Sequence, residues 1–339
     1  MGSGTIREGL EGQEFLAWAV KYIELNADME KTEMEKTFTD RIPVVFGEVL
    51  FDIFPEGARV LGGAPFNVAW HLQGFGARPL MISSVGNDEL GKDILRRMEN
   101  WGMDTAGIQK DEEHGSGAVK VLMKNGNPSY EILRDRAWDF IEAGPALEAV
   151  RKCRAGMLYH GSLAARSGTS RRTLEILRKE ADAPIFIDIN LRPPDWSRAL
   201  IEELLQGSRW IKLNRDELGE LGRTLRAKET DALALAKEFG AQWVITTFGG
   251  EGAAFASPEF GFLQESAPPI EDMVDTVGAG DAFSAVSIYG FLSGWEPGTI
   301  IRRAAGFAAD ICRIQGATAE RPELYNKWLN SWKQGEAGR

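Results

Sequence analysis

From Arg41 onward, short β-branched runs alternate with amphipathic helical patterns, and this alternation limits the chain to a few architectures. The spacing predicts strands at Pro43–Gly47, Leu80–Val85, Ala118–Met123, Met157–His160, Ile185–Ile189, Trp210–Leu213 and Trp243–Thr247. It predicts helices over Phe66–Gly74, Gly91–Trp101, Ser170–Ala181, Thr230–Phe239, Gly280–Ser293 and Thr299–Gln315. Such a series folds as a mostly parallel sheet with helices on both faces. One stretch breaks the pattern. Between His114 and Leu133 two strand-like runs flank Lys124-Asn125-Gly126-Asn127-Pro128, and Asn-Gly is a strong hairpin signal. That hairpin is expected to project from the sheet as a flap.

The 339 residues, 43% of them apolar, suffice for one large α/β domain or two smaller ones. A net charge of −11 argues against a protein that coats nucleic acid or an anionic membrane. No apolar run reaches the ~18 residues a membrane helix needs, so a soluble, cytoplasmic protein is expected. Cys153 and Cys312 lack any metal or disulfide spacing, as do His71, His114 and His160. Residues 1–40 read as an extension. Met1-Gly2-Ser3-Gly4 looks like an appended tag, Glu11 to Leu25 carries helical periodicity, and Asn26 to Asp40 is a polar linker. The domain proper is expected over residues 41–339.

The sharpest chemical signal is Asp275-Thr276-Val277-Gly278-Ala279-Gly280-Asp281, which runs directly into an apolar helical pattern. Small residues before a helix let backbone N–H groups converge on an anion at its positive end. Asp281 then stands where a base for an attacking hydroxyl would be useful. Read alone, the run also fits a glycine turn with Asp281 as a helix cap.

The run resembles the D-T-x-G-A-G-D signature of the ribokinase-like, or PfkB, carbohydrate kinases. Three further segments are similar to that family in the same order. They are the glycine pair and asparagine of Gly62-Gly63-Ala64-Pro65-Phe66-Asn67, the N-x-x-E element Asn214-Arg215-Asp216-Glu217, and the T-x-G-x-x-G loop Thr247 to Gly252. The resemblance covers roughly Arg41 to Glu320. It implies a ribokinase-like three-layer α/β/α domain with a small β lid, built from residues near 54–61 and 114–133. It also implies ATP-dependent phosphorylation of a sugar hydroxyl, with Mg²⁺ and a monovalent cation such as K⁺ as companions. A homodimer is compatible with it.

By this resemblance Asp281 would be the general base, and N–H groups around Gly278, Ala279 and Gly280 would hold developing phosphoryl charge. Asn214, Thr247, Gly249, Gly252 and Thr276 would line the nucleotide. Glu217 would organise Mg²⁺ through water. Arg192 is a candidate phosphate clamp, or a surface ion pair. Asp52, Gly63 and Asn67 would bind the sugar, although Asp52 also fits a turn before Pro55. Arg134 and Trp138, after the flap, are candidates to close over the ring. Gly47-Glu48 and Asp188-Ile189-Asn190-Leu191-Arg192-Pro193-Pro194 look most like the bacterial fructokinase branch, which makes fructose the first candidate. Ribokinases, ketodeoxygluconate kinases and aminoimidazole-riboside or nucleoside kinases share much of the pattern, and a catalytically silent member is the non-enzyme alternative.

Overall fold

The computed structural model describes residues 41–124, 127–224 and 232–337. The extension over residues 1–40, the Asn125-Gly126 turn and the start of the helix expected from Thr230 lie outside the described residues.

A nine-stranded sheet forms the centre. Its strands are β1 (Ile42–Phe46), β4 (Leu80–Gly86), β5 (Ile108–Asp111), β8 (Ala155–His160), β9 (Ile185–Asp188), β10 (Trp210–Asn214), β11 (Trp243–Thr247), β12 (Ala253–Ser257) and β13 (Gly261–Glu265). Their order is β13-β12-β11-β10-β9-β8-β1-β4-β5, parallel from β11 to β5. The edge strands β12 and β13 are added in antiparallel fashion. The expected parallel sheet is therefore present, extended by three strands that the spacing did not predict, β5, β12 and β13.

Successive side chains of a strand point to opposite faces, and two apolar clusters follow from this. Val45, Met157, Tyr159, Phe186 and Trp210 face one helical layer. That layer holds α1 (Ala64–Gly74), α2 (Glu89–Asn100), α8 (Ala279–Leu292), α9 (Pro297–Ile311) and α10 (Pro322–Ala337). Val44, Phe46, Leu158, Ile187 and Ile211 face the other. It holds α3 (Ala143–Arg151), α4 (Gly168–Glu180), α5 (Arg198–Leu205), α6 (Arg215–Thr224) and α7 (Ala232–Phe239). Near-continuous apolar runs such as Pro43–Phe46 are what a strand buried on both faces requires.

A second sheet has the order β3-β2-β6-β7, from β2 (Leu50–Ile53), β3 (Arg59–Gly62), β6 (Gly117–Lys124) and β7 (Asn127–Ile132). β6 and β7 form the expected antiparallel hairpin. The segment read as lid near 54–61 is the turn and return strand of another hairpin, which places Asp52 within a strand rather than in a turn. The parallel pair β2–β6 joins the two hairpins.

The chain turns from β1 first to β4 and only later to β8, on the other side of β1. In open parallel sheets the crevice at the carboxyl ends of strands around such a reversal is where ligands bind. No described helix is long and apolar enough to cross a membrane.

Candidate active site

At the carboxyl edge of the sheet a cleft of about 340 Å³ opens between β9–β11 and the start of α8. Asn214, Glu217, Thr247, Gly249, Gly252, Thr276, Ala279, Gly280 and Asp281 all line it, from three motifs far apart in sequence. A roomier hollow of about 690 Å³ lies at the opposite edge, among Gly207, Gly240 and Pro258, remote from every one of these residues.

Asp281 occupies the first turn of α8, whose N-cap, Gly278, has a φ of 79°. A Cβ there would meet Ala317 Cβ at 2.4 Å, so both the left-handed backbone and the space demand glycine. The Ala279 N–H donates to the Thr276 carbonyl at 3.3 Å, which closes the turn. Of the three N–H groups expected to face an anion, this one is therefore already weakly engaged. The Asn67 amide donates to Asp281 Oδ2 at 2.7 Å, linking α1 to α8 across 214 residues. Burial raises the Asp281 carboxyl to about 6, and the Asn67 bond opposes the rise.

Beneath Asp281 lies a buried ion pair that the motif reading did not include. Lys212 Nζ donates to Asp188 Oδ2 at 2.7 Å, and the Ser284 hydroxyl donates to the same oxygen at 2.7 Å. Lys212, midway along β10, and Asp188, the last residue of β9, are cross-strand partners. Both line the cleft, as does Asn190. A lysine inside the apolar run Trp210–Leu213 was the signal that could have revealed the pair, because an unpaired buried charge is too costly to keep.

The Asn214–Glu217 element is a reciprocal helix cap. The Glu217 N–H donates to Asn214 Oδ1 at 2.9 Å, and the Asn214 N–H donates to Glu217 Oε2 at 2.8 Å. The Leu191 N–H donates to Glu217 Oε1 at 2.8 Å, so each carboxylate oxygen already accepts one backbone bond. Burial raises the Glu217 carboxyl all the same. No group of three or more His, Cys, Asp or Glu among the described residues could hold a metal ion. A hydrated ion carried by a polyphosphate fits Glu217, whose remaining lone pairs can accept from its waters.

The glycine loop closes against β13. Gly252 has a φ of 110°, and a Cβ there would meet the Glu265 carbonyl oxygen at 2.0 Å. Cys312 also lines the cleft, and burial keeps its thiol protonated.

Other expected residues stand apart from the cleft lining. Asp52 sits on β2, without a side-chain hydrogen bond to any described residue, its pKa raised by burial. Gly63, at the N-terminus of α1, has a φ of 110° and approaches the Glu48 carbonyl too closely for any side chain. Arg192 is exposed and donates only to the adjacent Leu191 carbonyl. Arg134 pairs with Asp195 at the surface. Trp138 corrects an expectation: it is fully buried with the Arg166 guanidinium 4.2 Å above its ring, so it cannot stack on a sugar. Arg166, unnoticed in the sequence, bonds Asp139, Asp195 and the Leu133 carbonyl at the root of the small sheet.

Comparison with known proteins gives the family. Residues 40–324 match the pfkB family of carbohydrate kinases. A fructokinase of Escherichia coli is 30% identical over 261 residues, covering 74% of this chain and 84% of its own. A crystal structure of fructokinase with bound ATP from Xylella fastidiosa superposes with a TM-score of 0.76 at 19% identity, covering 87% of this chain and 99% of that one. Another, of Vibrio cholerae fructokinase in a fructose, ADP and calcium ion bound form, gives 0.72 at 23% identity, covering 85% and 99%. At these identities the two structures speak for the fold alone.

Proposed function

The chain belongs to the pfkB family of carbohydrate kinases, and from that premise we propose that it transfers the γ-phosphoryl group of ATP to a hydroxyl of fructose, giving fructose 6-phosphate. The observation that carries the reading is Asp281 itself. A carboxylate held by Asn67 at a helix N-terminus, in a glycine-walled cleft, suits abstraction of a hydroxyl proton beside a phosphoryl donor. Its carboxyl, raised to about 6, is still ionised at neutral pH and basic enough to accept that proton.

In this reading Asn67 orients the base and offers its carbonyl to the sugar. Asp52, Gly63 and Arg134 belong to the sugar side, and Arg192 reaches toward the transferred phosphate. As the sugar oxygen attacks phosphorus, its proton passes to Asp281, and the bond to the bridging oxygen of ADP breaks. N–H groups of the first turn of α8, aided by the positive helix end, meet the charge that builds on the equatorial oxygens. Thr247, Gly249, Gly252, Thr276 and Asn214 line the nucleotide phosphates. Glu217 would hold waters of a Mg²⁺ ion that neutralises phosphate charge. Support for fructose comes from the Escherichia coli relative, a fructokinase.

A coupled ADP-release screen over fructose, ribose, ketodeoxygluconate and aminoimidazole riboside tests the substrate. Fructose is expected to give the highest kcat/KM. A riboside preferred tenfold over fructose would overturn the assignment while leaving the chemistry intact.

A further inference from the structure

Behind Asp281 the core holds polar atoms that no described residue satisfies. Glu48 Oε2, Asn67 Oδ1 and Tyr159 Oη are buried without a hydrogen-bond partner, whereas interior polar groups are normally paired. They come from three elements that meet at the strand reversal. Glu48 lies two residues past the end of β1, Asn67 belongs to the first turn of α1, and Tyr159 lies on β8 opposite Val45. Asn67 is bonded to Asp281, and both Glu48 and Tyr159 lie near enough to feel the Asp281 charge.

Backbone packing holds Glu48 in place. A Cβ at Gly47 would meet Pro65 at 2.4 Å, and one at Gly63 would meet the Glu48 carbonyl oxygen at 2.6 Å. The segment is thus clamped between β1 and α1, and the side chain is only 3% exposed. A fixed, enclosed carboxyl with a free oxygen is a poor structural choice, because an apolar residue of similar volume would pack there without desolvating a charge.

We propose that Glu48 is a positioning residue that acts through Asp281: when ionised, its charge strengthens Asp281 as a base toward the sugar hydroxyl. This rests on Asp281 being that base. Glu48 takes no atom in the step. The hydroxyl proton goes to Asp281, the oxygen–phosphorus bond forms, and ADP leaves with the electron pair of the broken bond. The charges that act on Glu48 are those of Asp281 from α8, Arg166 after β8 and Arg192 after β9, and Tyr159 from β8 feels the Glu48 charge in turn. Arg166 is shared between Asp139 and Asp195, so the exposed Arg192 is the cation with its charge least committed. Burial raises the Glu48 carboxyl to about 7, and because it interacts with Asp281 the two carboxyls titrate as a pair.

The test is kcat against pH from 5 to 9, with chemistry rate-limiting, for the full chain and its Glu48→Gln variant. The wild type should rise in two steps, near pH 6 and near pH 7. The variant should keep the lower step, lose the upper one, and level off about 3–10-fold below wild type, with the KM for ATP within about twofold. An upper step that survives Glu48→Gln, or a uniform loss at every pH, overturns the proposal. Should the variant fail to fold, ¹³C-carboxyl NMR of wild-type protein labelled at glutamate decides instead. One glutamate must titrate near 7, and none doing so above 6 overturns it. Asp281→Asn run in parallel separates the two readings. Full activity in that variant removes the base assignment, whereas an inactive one beside an unchanged Glu48→Gln profile removes only the role of Glu48.

Discussion

Asp281 sits where catalytic and structural demands conflict. Its carboxyl is held near 6 in the folded protein against an ordinary value of 3.8, so folding favours the protonated form. The ionised form therefore costs stability that grows as pH rises from about 4 and is complete above about 6. Asp281→Asn should lower kcat by about 10²–10⁴-fold with little change in ATP affinity. Thermal unfolding should show the same variant more stable than wild type at pH 8, by about 1–2 kcal/mol, and no more stable at pH 4. A variant equally stable at both values would mean that Asp281 is not desolvated. Asp281 and the glycines before it were legible in the sequence because they satisfy a local demand, a helix start with close backbone approach, whereas Asn67 was found through the family resemblance. Lys212 was readable as a charge inside an apolar run, but not Asp188 as its partner, since their meeting depends on the register of β9 against β10, which no local pattern encodes. Trp138 misled for a similar reason: nothing in its surroundings shows that Arg166 covers it.

The N-x-x-E element shows how one motif serves both an element and a site. Asn214 and Glu217 cap α6 reciprocally, and glutamine can replace glutamate in such a box. Glu217→Gln keeps an acceptor for only one of the two backbone N–H groups, so it should unfold about 1 kcal/mol below wild type and need severalfold more Mg²⁺ for half-maximal rate. Glu217→Ala should lose both, with stability falling about 1–2 kcal/mol as the cap is lost. Equal Mg²⁺ dependence in wild type and Glu217→Gln would leave the motif a cap and nothing more. The small sheet makes a different demand. A phosphoryl donor beside a base reacts with water unless water is kept out until sugar binds. Amide hydrogen exchange across residues 114–134 should slow when fructose saturates the enzyme, and unchanged exchange would contradict closure. The β6–β7 hairpin was readable from Asn-Gly. The β2–β3 hairpin was not, because Phe54 to Ala58 holds Pro and Gly but no two-residue turn signature.

Across the whole molecule, the alternation of strand and helix was enough to give the layers, since β1, β4 and β8 to β12 each carry apolar residues toward both clusters. Strand order was not given by the alternation, and it is strand order that brings Glu48, Asn67, Tyr159 and Asp281 to one point. Every motif of the cleft lies beyond Arg41. Deleting residues 1–40 should accordingly leave a folded kinase with unchanged kcat/KM. An insoluble product would show that Phe15, Trp18 and Tyr22 cover apolar surface that the domain cannot expose. Phosphoryl transfer to fructose is tested most directly by following ATP, fructose and enzyme by ³¹P NMR. A sugar phosphomonoester resonance should grow in step with ADP, with no matching release of inorganic phosphate. ATP converted to ADP and inorganic phosphate at the same rate with or without fructose would contradict it.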